Sequence, residues 1–191
     1  MKVHKGGVVV LKKEIEGVTL EVIKGDISDQ KDIEAVVNAA NARLMPGGGV
    51  AGAIHHAAGP KLAEECRPLA PIEVGEAVIT GAHKLPNDYI IHTLGPVYGK
   101  DTPEDELLAT CYRETLEVAE DNQINSIAFP AISTGAFGYP IQEAAEIAFD
   151  TVLDKIPELN EVNQIRFVLY SESDQECHEQ ILGKLLKNRE Q

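Results

Sequence analysis

Five short apolar runs punctuate this chain, and none of them alternates cleanly between apolar and polar residues: EAVVNA at 34–39, EAVITGA at 76–82, YIIHTLG at 89–95, SIAFPAI at 126–132 and IRFVLY at 165–170. Runs of this kind suit strands covered on both faces, which requires a layer of helices on each side of the sheet. Helical stripes lie between them. Over 104–120, Leu107, Leu108, Cys111, Thr115, Val118 and Ala119 share one stripe, and after Pro140 so do Ile141, Ala144, Ala145, Ala148 and Val152. Ser-Asp-Gln-Glu at 173–176 reads as a capping box opening a last helix, with Ile181, Leu182 and Leu185 inward. From Gly7 to Lys24, VVVLKKEI, the pair Glu16-Gly17 and VTLEVIK read as an antiparallel hairpin in which Val18, Leu20 and Val22 share a face. The expected fold class is α/β, a three-layer α/β/α sandwich whose central sheet is mixed because of that hairpin.

A length of 191 residues fits one domain over residues 1–191, and 43% apolar with 25% charged residues argues against disorder. No apolar run approaches the roughly 20 residues of a membrane-spanning helix, and MKVHKGGVVVLKKE is too charged for a signal peptide, so a cytoplasmic protein with no membrane partner is expected. Cys66, Cys111 and Cys177 are far apart and lack metal-like spacing; they read as reduced thiols, mostly buried. A net charge of −14 disfavours a partner held through its phosphate backbone, so no duplex DNA is expected. A small anion can still bind where a local nest of backbone N–H groups outweighs the general field.

Ligands in such folds collect at the carboxyl ends of strands. Three stretches have that placement: KGDIS at 24–28, NAANARLMPGGGVAGAIHHAAG at 38–59 and PAISTGAFGYP at 130–140. Gly47-Gly48-Gly49 leads into a helix expected over about 50–58, where it is either a plain turn or an approach for an anion to the free N–H groups of the helix start. Ser133-Thr134-Gly135-Ala136-Phe137-Gly138 repeats that logic before Pro140. Neither loop holds Lys or Arg or matches a nucleotide-binding glycine fingerprint, so a phosphate there would be held by backbone dipoles. Asn38 and Asn41 either brace local turns or offer amides to sugar hydroxyls, and Asp26 is either an Asx-turn residue or an acceptor for an exocyclic amine. Phe137 and Tyr170 are core aromatics or ligand platforms; Phe137, in a glycine loop, has little core to join. His55 and His56 point about 100° apart on a helix and cannot chelate one metal together, and no metal or cofactor is expected.

Taken in order, GDIS, VVNAANARLMPGGGVAGAIHHAAGP, GEAVIT, IIHTLGP, SIAFPAISTGAFGYP and FVLY resemble the macro domain family of ADP-ribose binders and ADP-ribosyl hydrolases over about residues 18 to 185. The resemblance implies that Asp26 accepts the adenine amine, that the Ile27 backbone contacts the ring and that Tyr170 packs on its face. It implies that Ser133, Thr134, Gly135, Ala136 and Phe137 wrap the diphosphate, with Phe137 against the distal ribose. Gly47, Gly48, Gly49 and Val50 would close over the other side. Asn41 would bond the distal ribose hydroxyls, and Asn38 would support the loop or that ribose. In the MacroD-type branch the glycine loop continues Val-Asp-Gly, whereas here it continues Val50-Ala51-Gly52; several viral macro domains that are hydrolases also carry Val-Ala-Gly.

The leading expectation is a monomeric hydrolase acting on ADP-ribosylated acidic side chains of proteins, on O-acetyl-ADP-ribose, or on both. Its catalytic group would comprise Asn41, His55, Gly135 and Phe137. A reader that binds ADP-ribose without turnover is the principal rival, favoured by Ala51. An RNA or poly(ADP-ribose) module is disfavoured by the acidic charge and the lack of a basic, aromatic groove.

Overall fold

A computed structural model of the chain describes residues 2–5 and 8–189, with side chains from residue 11 onward; the hairpin expectation at Gly7 lies outside the described residues. In chain order the elements are β1 (Lys2–Lys5), β2 (Val8–Ile15), β3 (Val18–Lys24), β4 (Ala35–Ala39), α1 (Gly49–Ala58), α2 (Lys61–Cys66), β5 (Ala77–Gly81), β6 (Tyr89–Thr93), α3 (Glu104–Asp121), β7 (Ser126–Phe129), α4 (Ile141–Lys155), β8 (Gln164–Leu169) and α5 (Glu172–Arg189). One eight-stranded sheet has the order β1-β2-β3-β8-β7-β4-β6-β5. Its five central strands are parallel; β1, β2 and β5 are joined antiparallel at the edges.

Strand side chains alternate between two helical layers. Val37, Ile91, Phe129 and Phe167 pack with α3, α4 and α5, together with Val18, Leu20 and Val22 of the hairpin. Val36, Ile90, Ala128 and Val168 face the other way, against Ile54 of α1 and Leu62 of α2. Both faces of the central strands are therefore covered, which is why their sequences show no alternation. The three-layer mixed sandwich is thus observed.

Two details depart from expectation. The 76–82 run forms β5, which is only half-buried, because it sits at the end of the sheet with one neighbouring strand. The last helix is capped by Ser171: its Oγ accepts from the Asp174 N–H at 3.1 Å, and Ser173 already lies inside the first turn. Ser171-Glu172-Ser173-Asp174 has the same Ser-x-x-acidic spacing as the pair expected at 173–176, two residues earlier. The cysteines follow expectation: all three are free thiols, Cys66 and Cys111 buried and Cys177 partly so. No helix among the described residues is long and apolar enough to cross a membrane.

Candidate functional site

The carboxyl ends of β3, β8, β7, β4 and β6 share one edge of the sheet. From β4 the chain passes through α1 and α2 on one face, forms edge strand β5 and returns as β6, whereas from β7 it passes through α4 on the opposite face and reaches β8. Adjacent strands whose connections leave in opposite directions open a crevice between their loops, the usual ligand position in open α/β sheets. Here the β4–β7 ladder consists of Ala35 opposite Ile127 and Val36 opposite Ala128, while β4 stays paired with β6 as far as Ala39 opposite Thr93. The two glycine-rich loops follow β4 and β7, on either side of this crevice.

On the β4 side, α1 starts at Gly49 with Gly48 as its N-cap, no capping side chain and no acidic residue in the first turn. Its first N–H groups are therefore open to an anion. Gly47 lies close over the helix start: a Cβ on Gly52 would meet the Gly47 carbonyl oxygen at 2.4 Å, so residue 52 must be glycine for the loop to fold back this way. Val50 is half-buried and Ala51 fully so. Asn41 braces the turn before the loop, its Nδ2 donating to the Met45 carbonyl at 2.7 Å and its Oδ1 accepting from the Met45 N–H at 3.2 Å.

On the β7 side, Ser133 takes a left-handed conformation with φ 66° and is buried, and its Oγ has no hydrogen-bond partner among the described residues. A Cβ on Gly95 would lie only 2.1 Å from that Oγ, so the bare backbone after β6 makes room for the loop. Thr134 Oγ1 donates to Ala131 O at 2.8 Å, and the Tyr139 and Gly138 N–H groups donate to Ser133 O and Gly135 O at 2.9 and 3.0 Å. Gly135 and Ala136 are exposed at the tip. Phe137 corrects the expectation that it lacks a core to join. It is half-buried against the cluster formed with α1 and α2, and its carbonyl accepts from the Tyr98 N–H at 2.9 Å.

Asp26 follows β3, where Oδ1 accepts from both the N–H and the hydroxyl of Ser28, at 2.8 and 2.6 Å. The Asx turn thus exists, and it employs one carboxylate oxygen. Ile27 is buried beside it, and Tyr170, at the end of neighbouring β8, is 91% exposed.

Beneath the β4 loop lies a buried polar group of side chains. Asn38 is fully buried and does not line the crevice; its Nδ2 donates to His92 Nδ1 at 3.0 Å. The His92 ring therefore carries its proton on Nε2 and donates to Thr80 Oγ1 at 2.9 Å. Burial first, and second the repulsion between the two rings were both protonated, lower the His92 pKa to about 3. His55 is buried on α1 with its ring 6.5 Å from that of His92, and neither of its nitrogens has a hydrogen-bond partner among the described residues. Burial lowers its pKa as well, so it stands as a neutral imidazole. His56 is exposed and turned away from it. Sequence reasoning missed His92, Gly52 and Gly95. The IIHTLG run carries both His92 and Gly95, but only the fold shows what they approach.

A cavity of about 690 Å³ opens between α3 and α4, lined by Glu104, Asp105, Glu106, Glu143, Glu146 and Asp150 among others. Six carboxylates there repel any phosphate. The anion-compatible position is the crevice between the two glycine loops.

Residues 37–148 match the family described as Macro domain. The chain is 45% identical over 169 residues to a macro domain-containing protein of Chlorobaculum tepidum, covering 88% of this chain and 98% of that protein. It is 49% identical over 168 residues to the O-acetyl-ADP-ribose deacetylase of Salmonella typhimurium, covering 85% and 93%. Among solved structures, the Oceanobacillus iheyensis macrodomain with ADP superposes with a TM-score of 0.90 at 42% identity, over 95% of this chain and 98% of that one. A Trypanosoma brucei macrodomain in complex with ADP-ribose gives 0.80 at 36% identity, over 86% and 69%.

Proposed function

The chain belongs to the macro domain family, and from that premise we propose that it binds ADP-ribose and hydrolyses ester bonds to the distal ribose. The substrates are ADP-ribosylated acidic side chains and O-acetyl-ADP-ribose. The observation that carries this reading is the β4/β7 crevice, flanked by two glycine-rich stretches, 47–49 and 133–138, that offer backbone N–H groups and no cationic side chain. Asp26 and Tyr170 lie farther along the same edge. From β3 to β4 the edge crosses three strand spacings, about 14 Å, enough to set out a base, a diphosphate and a ribose in that order.

Asp26 accepts the adenine amine through the carboxylate oxygen its turn leaves available, the Ile27 backbone meets the ring, and Tyr170 covers its face. Ser133 to Phe137 and Gly47 to Val50 enclose the diphosphate. Asn41 engages Met45 with one N–H and one lone pair, which leaves one of each for ribose hydroxyls. Asn38 supports that strand end from below, and Phe137 bounds the ribose.

In the carboxylate ester, the bond between the anomeric carbon and the ester oxygen breaks, and the carboxylate leaves with the electron pair. Water forms the new bond to carbon and gives up one proton. In O-acetyl-ADP-ribose, water adds to the acetyl carbonyl and acetate departs, leaving a ribose hydroxyl. Ala51 has no group to take the water's proton, so the substrate's own diphosphate, fixed by Ser133 to Phe137 with Gly135 at the open tip, is the base. His55, held neutral by burial, orients that water or the ribose. Positioning and preorganised N–H dipoles supply most of the acceleration.

The test is incubation with a protein mono-ADP-ribosylated at carboxylates, and separately with O-acetyl-ADP-ribose, following release of ADP-ribose or acetate in the presence of EDTA. Release is expected with both. The alternative reader function is favoured by one observation, the apolar Ala51 on the buried face of α1. Tight ADP-ribose binding with no release from either substrate would establish it.

A further inference from the structure

The backbone carbonyl of Asp26 is tied to the sheet through the side chain of Gln30. This residue is 5% exposed, and its amide lies between two groups of fixed polarity. Its Oε1 accepts from Arg166 Nη1 at 3.0 Å, and its Nε2 donates to the backbone carbonyl of Asp26 at 2.7 Å. A guanidinium can only donate and a carbonyl can only accept, so the amide has one permitted orientation. The backbone of Gln30 is held too: Asn87 Nδ2 donates to Gln30 O at 2.7 Å and to Ile33 O at 2.6 Å.

Arg166 is a rigid anchor for this chain of bonds. It is 6% exposed in β8, and it donates through Nε to Glu21 Oε2 of β3 at 2.7 Å and to both Asp32 oxygens at 2.8 and 2.9 Å. Two carboxylates offset its charge, so the guanidinium cannot rotate without leaving a buried charge unpaired. The carbonyl of Asp26, which also accepts from the Asp29 N–H of its own turn at 3.1 Å, is thereby tied to β3 and β8 as well. From that carbonyl the Asx turn to Ser28 directs the carboxylate.

We infer that Gln30 is a specificity-determining positioning residue: the Arg166–Gln30–Asp26 chain holds the Asp26 carboxylate and the Ile27 N–H at the spacing that distinguishes adenine, with its exocyclic amine, from a base carrying a carbonyl at that position. The inference rests on the reading of Asp26 as the adenine partner. A purely structural brace would support the fold without affecting the choice of base.

Arg166 is a poor probe, since removing one member of a buried ion pair endangers folding. Gln30→Met keeps the volume and removes both bonds. Gln30→Glu keeps an acceptor for Arg166 but places an ionised oxygen against the Asp26 carbonyl, so it tests the second bond with the anchor still satisfied. Affinities of the full chain for ADP-ribose and for inosine diphosphate ribose are measured by calorimetry, with a thermal melt of each variant. In both variants the adenine-over-hypoxanthine preference is expected to shrink about threefold to tenfold, the range for one lost hydrogen bond. An unchanged preference, with both affinities or the melting temperature lowered together, overturns the inference and leaves Gln30 a brace. If the wild-type chain itself fails to prefer adenine, the Asp26 reading is what has failed, and the positioning role falls with it.

Discussion

In the proposed reading, Asp26 serves two partners with one carboxylate. Oδ1 is held by the Ser28 N–H and hydroxyl, so in that reading discrimination of the base falls to the other oxygen. Asp26→Asn separates the two duties: the amide oxygen can keep the turn, while the NH₂ group presents a donor to the adenine amine. ADP-ribose affinity is expected to fall roughly tenfold to a hundredfold by calorimetry, the range for a charged hydrogen bond, with little change in melting temperature. A large drop in melting temperature would mean that the turn, not the base contact, was the main loss. Turnover depends on different residues. Asn41→Ala and Gly135→Glu should abolish release of ADP-ribose from modified carboxylates, the latter by placing a like charge where the diphosphate sits; open space surrounds a Cβ at Gly135, so folding is spared. Ala51→Asp should raise the rate if its carboxylate reaches the water. The turn-bracing half of the alternatives posed by the sequence at Asp26 and Asn41 was legible because their partners, Ser28 and Met45, are two and four positions away. Asn38 was not legible in this way, because its partner His92 is 54 positions distant.

Short-range signals were legible in the elements, and contacts between elements were not. The stripes of α3 and α4 needed only a 3.6-residue period, and the central strands only an unbroken apolar run. β1 is four residues of KVHK and carries no such signal, and α2, six residues long, is too short for a period to emerge. The start of α5 was misplaced because two overlapping Ser-x-x-acidic spacings exist, and only the bond from Asp174 N–H to Ser171 Oγ chooses between them. Ser171→Ala is therefore expected to cost about 1 kcal/mol in denaturant unfolding, whereas Ser173→Ala should cost a few tenths at most. The reverse order would return the cap to Ser173. At the start of α1, Gly52→Ala puts a methyl group 2.4 Å from the Gly47 carbonyl oxygen, and neither backbone can yield without moving the loop. Overpacking of this kind costs about 1–3 kcal/mol. ADP-ribose binding should weaken beyond the stability loss, because the displaced residues are those that face the diphosphate in the proposed reading. An alanine variant with native affinity would show that the loop tolerates the shift.

Across the whole molecule, burial of histidines ties stability to pH. His92, His55 and His178 all have pKa values lowered by burial, His92 to about 3. Each stays neutral when folded but takes a proton in the unfolded chain below about pH 6.5, so its contribution is complete above that pH and is lost as the pH falls toward the folded value. Unfolding free energy should thus decline below about pH 6.5 by up to about 1.4 kcal/mol per pH unit for each such histidine. His92→Gln, which retains a donor and an acceptor for Asn38 and Thr80, should remove one proton's share of that slope; an unchanged slope would show that His92 is not among the linked groups. The overall charge of −14 makes a separate statement about the ligand. A polyanion bound through six to ten phosphates loses about 10³- to 10⁵-fold in affinity between about 50 and about 200 mM salt, because each neutralised phosphate releases counterions. Here the two loops supply N–H dipoles and no Lys or Arg, so few counterions are displaced, and screening also weakens the repulsion between an acidic protein and a diphosphate. ADP-ribose affinity should therefore change by less than about threefold over that salt range, with any trend toward tighter binding as salt rises. A steep fall would mean that a cation such as Arg43 or Lys84 grips the diphosphate, and the charge-reversed variant Lys84→Glu would then lose binding while Gly135→Glu kept it.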